Sequence, residues 1–128
     1  MSTTRPKERI IERHLVDRCR ELGVMCLKFT SPGHIGVPDR LLLGHDASGV
    51  AVTLFVEVKR PGGKPRPSQI NRITEMRDHG AHAVIASTKA EVNAVLADYF
   101  TAPTTSFATR DPHAAPLPQL RAPIISGL

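Results

Sequence analysis

The stretch Phe55-Val56-Glu57-Val58-Lys59 ends an apolar run with an acid and an ammonium two residues apart. A strand sends alternate residues to opposite faces, so Glu57 and Lys59 share one face and Val56 and Val58 the other. A carboxylate and an ammonium are costly on so apolar a strand unless that face is wet or the charges have work to do. Eighteen residues before Glu57 stands Asp39, in Gly36-Val37-Pro38-Asp39. If 40–44 and 51–59 form a hairpin about a turn at 45–50, residue numbers across the pair sum to roughly 95 or 96, and Asp39 falls opposite Val56 or Glu57. Two carboxylates and a lysine converging at the end of a hairpin suit a hard divalent cation with an open coordination side. Taken alone, Asp39 reads as a turn residue bonding its own backbone; with Glu57 and Lys59 at this spacing it reads as metal-binding.

The strand runs on into Arg60-Pro61-Gly62-Gly63-Lys64-Pro65-Arg66-Pro67. Most charge runs are solvated faces. This one begins at the candidate site and is stiffened by prolines, so Arg60, Lys64 and Arg66 are expected to track phosphates. It lacks the glycine and lysine spacing of a nucleotide-binding P-loop.

The elements that must position these groups follow from periodicity. Residues 6–22 read as a helix closed by Gly23, after a frayed start at 1–5. Its apolar stripe is Ile11, Leu15, Cys19 and Leu22. At about 100° per residue, Glu8 falls within that sector and Glu12 about 40° further round. An acid on a buried face is informative; the other reading of Glu8 is a first-turn glutamate favoured by the helix dipole. Glu12 is the second candidate and otherwise a solvated or ion-paired acid. Residues 24–30 form the first strand, in which Lys28 either reaches a phosphate or snorkels to water. Residues 31–38 are a Gly/Pro loop, whose His34 is read as a loop histidine that touches DNA rather than a ligand. A second helix spans 68–79, ends at Gly80 and buries Ile70, Ile73, Met76 and Arg77. Gln69 lies in its first turn. An apolar strand follows at 83–87, and Thr88 caps a last helix over 89–100 with Val92, Val95, Leu96 and Tyr99 inward. His79 and His82 straddle a helix end and are not expected to share a metal. The fold class is α/β: a small mixed sheet flanked by helices, in the order αβββαβ plus a C-terminal helix.

Composition narrows the function. The 128 residues have room for one domain, expected over 1–100, with the proline-rich 101–128 as an extended or disordered tail. The net charge of +5 favours a polyanionic partner, while 4% aromatic content argues against a surface that stacks many unpaired bases. No apolar stretch is long enough to span a membrane, and the first nine residues lack a signal-peptide core. A cytoplasmic location is expected. Cys19 and Cys26 read as buried free thiols in a reducing compartment.

The order Glu8, Lys28-Phe29-Thr30-Ser31-Pro32-Gly33, Gly36-Val37-Pro38-Asp39-Arg40, Phe55-Val56-Glu57-Val58-Lys59, Pro61-Gly62-Gly63-Lys64 and Gln69 resembles the PD-(D/E)XK nuclease superfamily. It is similar above all to the virus-type replication–repair (VRR-NUC) branch, over about residues 7–100. The resemblance implies that Asp39, Glu57, the Val58 carbonyl and Glu8, directly or through water, hold Mg²⁺ or Mn²⁺. It implies that Asp39, Glu57, Lys59 and Gln69 form the catalytic set, with Lys59 positioning water or stabilising charge and Gln69 orienting water or phosphate. It also implies cleavage of branched or duplex DNA by a stand-alone, phage-type homodimer acting in an infected or lysogenic host during replication, recombination or repair. The alternatives are a nuclease for simple ends or nicks, a restriction-type enzyme, and a non-catalytic nucleic-acid-binding module.

Overall fold

The computed structural model describes residues 4–100. The tail expected at 101–128 lies outside the described residues. Helix α1 (Thr4–Leu22) is followed by strands β1 (Met25–Lys28), β2 (Arg40–His45) and β3 (Ala51–Val58). Helix α2 (Pro67–Asp78), strand β4 (His82–Ala86) and helix α3 (Lys89–Tyr99) complete the order. The α/β class expected from periodicity is the class observed. Helix α1 begins at Thr4, so the expected fray over 1–5 does not extend to residues 4 and 5.

The four strands form one sheet in the order β1-β2-β3-β4, antiparallel except for the parallel β3–β4 pair. The β2–β3 ladder runs from Arg40 opposite Val56 to His45 opposite Ala51. A tight turn closes its far end. The Asp46 carboxylate accepts from the backbone N–H groups of Ser48 and Val50 at 2.9 and 3.0 Å, and Gly49 supplies the positive φ of 85° that the turn requires. Those bonds hold the Asp46 carboxyl below the usual carboxylate range, the Ser48 hydroxyl being the leading cause.

Strand alternation divides the sheet. Arg40, Leu42 and Gly44 share a face with Leu54, Val56 and Val58, and α1 and α3 cover it. The core there joins Ile11, Leu15 and Cys19 to Leu42, Leu54, Val56, Val58, Val92, Leu96 and Phe100. Phe100 is 1% exposed, and its ring lies where a side chain at Gly44 would stand. Asp39, Phe55, Glu57 and Lys59 belong to the opposite face, where α2 packs.

The first strand is shorter than 24–30, because the Val24 N–H bonds back to the Cys19 carbonyl at 2.8 Å and closes α1 instead. Ile70 is 47% exposed rather than buried, because α2 packs chiefly along β4 and commits only Ile73 fully to the interior. Arg77 is exposed as a residue, yet its Nε donates to the Ala83 carbonyl at 2.7 Å and ties α2 to β4.

Candidate active site

The site begins where the β2–β3 ladder ends. The last pair of the ladder is Arg40 with Val56, so Asp39 and Glu57 are the next residues out and face each other across the hairpin mouth. The loop leading to Asp39 is fixed against α2. Gly36 has a φ of 81°, and a side chain there would run into the Ser68 carbonyl. The Arg72 Nε also donates to the Ile35 carbonyl at 3.0 Å. Together these contacts seat the loop on the first turns of the helix that carries Gln69.

Glu57 is 9% exposed, the sole charged residue among the buried ones described. Gln69 Nε2 donates to Glu57 Oε2 at 3.1 Å, and Lys59 Nζ stands 3.6 Å from the same oxygen. The Gln69 carbonyl oxygen accepts from the Arg66 backbone N–H at 2.9 Å. That bond caps α2 and turns the amide so that its NH₂ group meets the acid. Burial raises the Glu57 carboxyl above the ordinary range; the charge of Asp39 adds to this, Lys59 opposes it, and Glu8 adds a further push. Asp39, Glu57 and Glu8 therefore converge electrostatically. Glu8 itself is exposed rather than on the buried stripe, because the buried run of α1 starts at Ile11 and leaves the turn before it in solvent.

Glu12 has a different setting. Arg40 Nε and Nη2 donate to its Oε2 at 3.0 and 2.8 Å, and Lys28 Nζ reaches that oxygen at 3.2 Å. Burial alone would raise its pKa, but hydrogen bonds from Arg40 and Lys28 outweigh it and hold the carboxyl low. Lys28 also lies 3.7 Å from Asp39 Oδ2, so it bridges the two acids rather than standing alone at the surface. Arg40 and its pairing with Glu12 were not foreseen from sequence. The available signal was an arginine directly after Pro-Asp with an acid close to the apolar sector of the first helix.

Arg60, Lys64 and Arg66 occupy the turn after β3, which is closed by the Gly63 N–H to the Arg60 carbonyl at 2.8 Å. They follow Lys59 in the chain and have no ion-pair partner among the described residues. His34 is exposed, His79 Nδ1 bonds the Glu75 carbonyl, and His82 packs edge-on against Tyr99. Cys19 is buried and Cys26 half-buried, both free. Their mutual hydrogen bond lowers the Cys26 thiol to about 7 and, with burial, pushes Cys19 far up.

Among the described residues, no three His, Cys, Asp or Glu side chains stand close enough together to hold a metal ion by themselves. The donor set is two facing carboxylates, the Val58 carbonyl between Glu57 and Lys59, and Glu8 further out. All are hard oxygen donors, and the crowded negative charge on buried Glu57 is of the kind a divalent cation relieves. In donor chemistry these residues fit a hard divalent cation that takes its remaining ligands from water.

The described residues thus form a mixed four-stranded α/β sheet with an acid pair, a lysine and a glutamine at one hairpin mouth. No family model matches the chain. A phage protein described as "Putative nuclease p44", from Acyrthosiphon pisum secondary endosymbiont phage 1, is 39% identical over 90 residues, covering 70% of this chain and 91% of that protein. A solved structure described as a VRR_NUC domain superposes with a TM-score of 0.64 at 28% identity, over 73% of this chain and 98% of the other. A second, described as a VRR_NUC domain protein, shares the fold at a TM-score of 0.57 and 18% identity, over 73% of this chain and 87% of its own. The chain belongs to the VRR-NUC family of nucleases.

Proposed function

We propose that the protein is a metal-dependent DNA endonuclease that hydrolyses phosphodiester bonds in branched DNA. The observation that supports this most directly is the contact set on Glu57: a buried carboxylate held by Gln69, approached by Lys59 and pressed by the charge of Asp39. Asp39, Glu57 and the Val58 carbonyl would hold Mg²⁺ or Mn²⁺, with Glu8 acting directly or through water. The ion, when bound, acidifies a coordinated water and offsets charge on the phosphoryl oxygens. Lys59 donates to that water or to the developing negative charge. Gln69 keeps the Glu57 carboxylate in one orientation and offers its amide to the nucleophile or phosphate. Arg60, Lys64 and Arg66 hold the backbone without reading bases, so binding falls steeply with salt.

Two sites related by symmetry make paired cuts across a junction, so the working form is a homodimer. The setting is the cytoplasm of a phage-infected or lysogenic cell, in replication, recombination or repair. The deciding experiment is cleavage of a labelled panel (linear duplex, single strand, 5′ flap, splayed arm and four-way junction) in Mg²⁺, Mn²⁺ and EDTA, beside Lys59→Ala. Metal-dependent cutting of the branched substrates, lost in the variant, is the expected result. Preferential cutting of simple ends or nicks would replace the branched-DNA reading. Salt-sensitive binding with no cutting in either metal would replace the enzyme with a binding module.

A further inference from the structure

A basic groove lies on the α1 side of the sheet, away from the loop at 60–66. Arg9, Arg13 and Arg20 of α1, with Arg40 of β2, border an open groove of about 420 Å³ in which Glu12 and Asp17 are the acids. At 100° per residue the three helical arginines fall within a sector of about 40°, so they form a row rather than a scatter. The row is about 16 Å long at 1.5 Å per residue.

Its charges are unbalanced. Glu12 is engaged by Arg40 and Lys28, and Asp17 reaches Arg20 only at 3.9 Å. Arg9 and Arg13 have no ion-pair partner among the described residues. An ordinary solvated helix face pairs its charges three or four residues apart, as Arg18–Glu21 and Arg72–Glu75 do in this chain. Here the surplus cations border a concavity instead. The groove is also continuous with the site: Arg40 follows Asp39 in the chain, and Lys28 spans the space between Glu12 and Asp39.

We propose that this groove is a second binding track for the phosphodiester backbone, taking the DNA arm that leaves the acid cluster on the α1 side. This rests on the nuclease reading for the position of the scissile phosphate. The loop at 60–66 and the α1 groove then contact different stretches of backbone. Guanidinium groups in a row suit this task because each presents a fork of donors to phosphate oxygens without reading sequence. At about 3.4 Å of axis per phosphate on each strand, the row faces about five phosphate steps.

The test is a salt titration of binding to a four-way junction and to a duplex too short to leave the acid cluster. It compares wild type, Arg9→Gln/Arg13→Gln/Arg20→Gln and Arg60→Gln/Lys64→Gln, all in Ca²⁺ to hold turnover in check. On the junction the triple variant should lose two to three from the slope of log Kd against log salt, about 0.9 per contact, and keep wild-type affinity for the short duplex. Arg9→Lys/Arg13→Lys/Arg20→Lys should restore most of the slope. An unchanged junction slope in a folded triple variant overturns the groove. Should the triple variant fail to fold, DNA protection of Arg9 and Arg13 from phenylglyoxal in the wild-type protein decides, and no protection overturns it. The outcomes separate from those of the nuclease reading: a wild type that cuts with a groove-independent slope sinks the groove alone, and a wild type that never cuts but binds through the groove sinks the nuclease alone.

Discussion

Gln69 holds Glu57 with its amide NH₂ and caps the Arg66 N–H with its carbonyl, so one side chain starts a helix and orients an acid. Gln69→Ala should lose both, lowering stability by about 1 kcal/mol for the cap. Gln69→Glu keeps an oxygen for the cap but puts a second carboxylate against Glu57. Its melting temperature should fall at least as far as that of the alanine variant, because two carboxylates then meet at a buried site, and kcat should fall with it, by about tenfold to a hundredfold. Thermal melts read beside single-turnover cleavage check both, and full activity in Gln69→Glu would remove the site role.

Asp39→Asn and Glu57→Gln should each abolish cleavage and leave DNA affinity within a few-fold of wild type. A readout independent of turnover comes from linkage, since a ligand that binds only the native state raises its stability. Mn²⁺ should raise the wild-type melting temperature and leave both variants unmoved. In EDTA, Glu57→Gln should be no less stable than wild type, because it removes a buried charge facing Asp39. Full turnover by either variant in saturating Mg²⁺ would end the assignment.

The Glu12–Arg40 pair sets the acid stability. Arg40→Met should cost about 2 kcal/mol, because the pair is partly buried and joined by hydrogen bonds to charged groups. The Glu12 carboxyl is held below its unfolded value, so its contribution is fully present above the unfolded pKa and fades as pH falls through the folded one. Urea midpoints for wild type and Glu12→Gln should therefore differ at pH 7 and draw together progressively as pH falls below the unfolded glutamate value of about 4.3. A gap that widened in acid would contradict the pairing.

Cys26 should behave as a reactive thiol. Its pKa of about 7 arises from the Cys19 hydrogen bond, and it is half-buried while Cys19 is sealed in the core. Iodoacetamide should alkylate Cys26 first, with a rate that climbs through neutral pH, as peptide mass spectrometry would follow. Cys19→Ala should move that climb to higher pH.

Phe100 closes the core of the described residues. Its ring fills the space beside Gly44, so Phe100→Ala should cost about 3–5 kcal/mol. A chain ending at residue 100 should match the urea midpoint of the full 128 residues, and one ending at residue 99 should not. A large loss on removing 101–128 alone would place structural weight in that segment.

Period and punctuation carried most of the fold. The stripe Ile11, Leu15, Cys19, the alternation through Leu54, Val56 and Val58, and the Gly23 and Gly80 stops each mark local preferences that packing reinforces. The hairpin register was legible too, because a turn of this length leaves few pairings that keep Val56 and Val58 inward. Contacts that join distant segments were not legible. Nothing local predicts that Arg40 reaches across to Glu12, or that Cys19 meets Cys26, since both depend on how α1 lies over β1 and β2. Ile70 misled for the same reason: helical spacing marks an apolar sector, but which part is covered depends on the neighbour. For Gln69 the family resemblance supplied the expectation of a site role, and its bond to Glu57 is a tertiary fact.

The Asp46 turn acts as a length standard for the hairpin. It fixes which residue of β2 meets which residue of β3, and the mouth where Asp39 faces Glu57 lies some six residues, or about 20 Å, away along the strands. A single residue added between Asp46 and Val50 would slip the ladder and turn one acid to the wrong face of the sheet. The bend farthest from the acids is thus the part of the hairpin least free to change length.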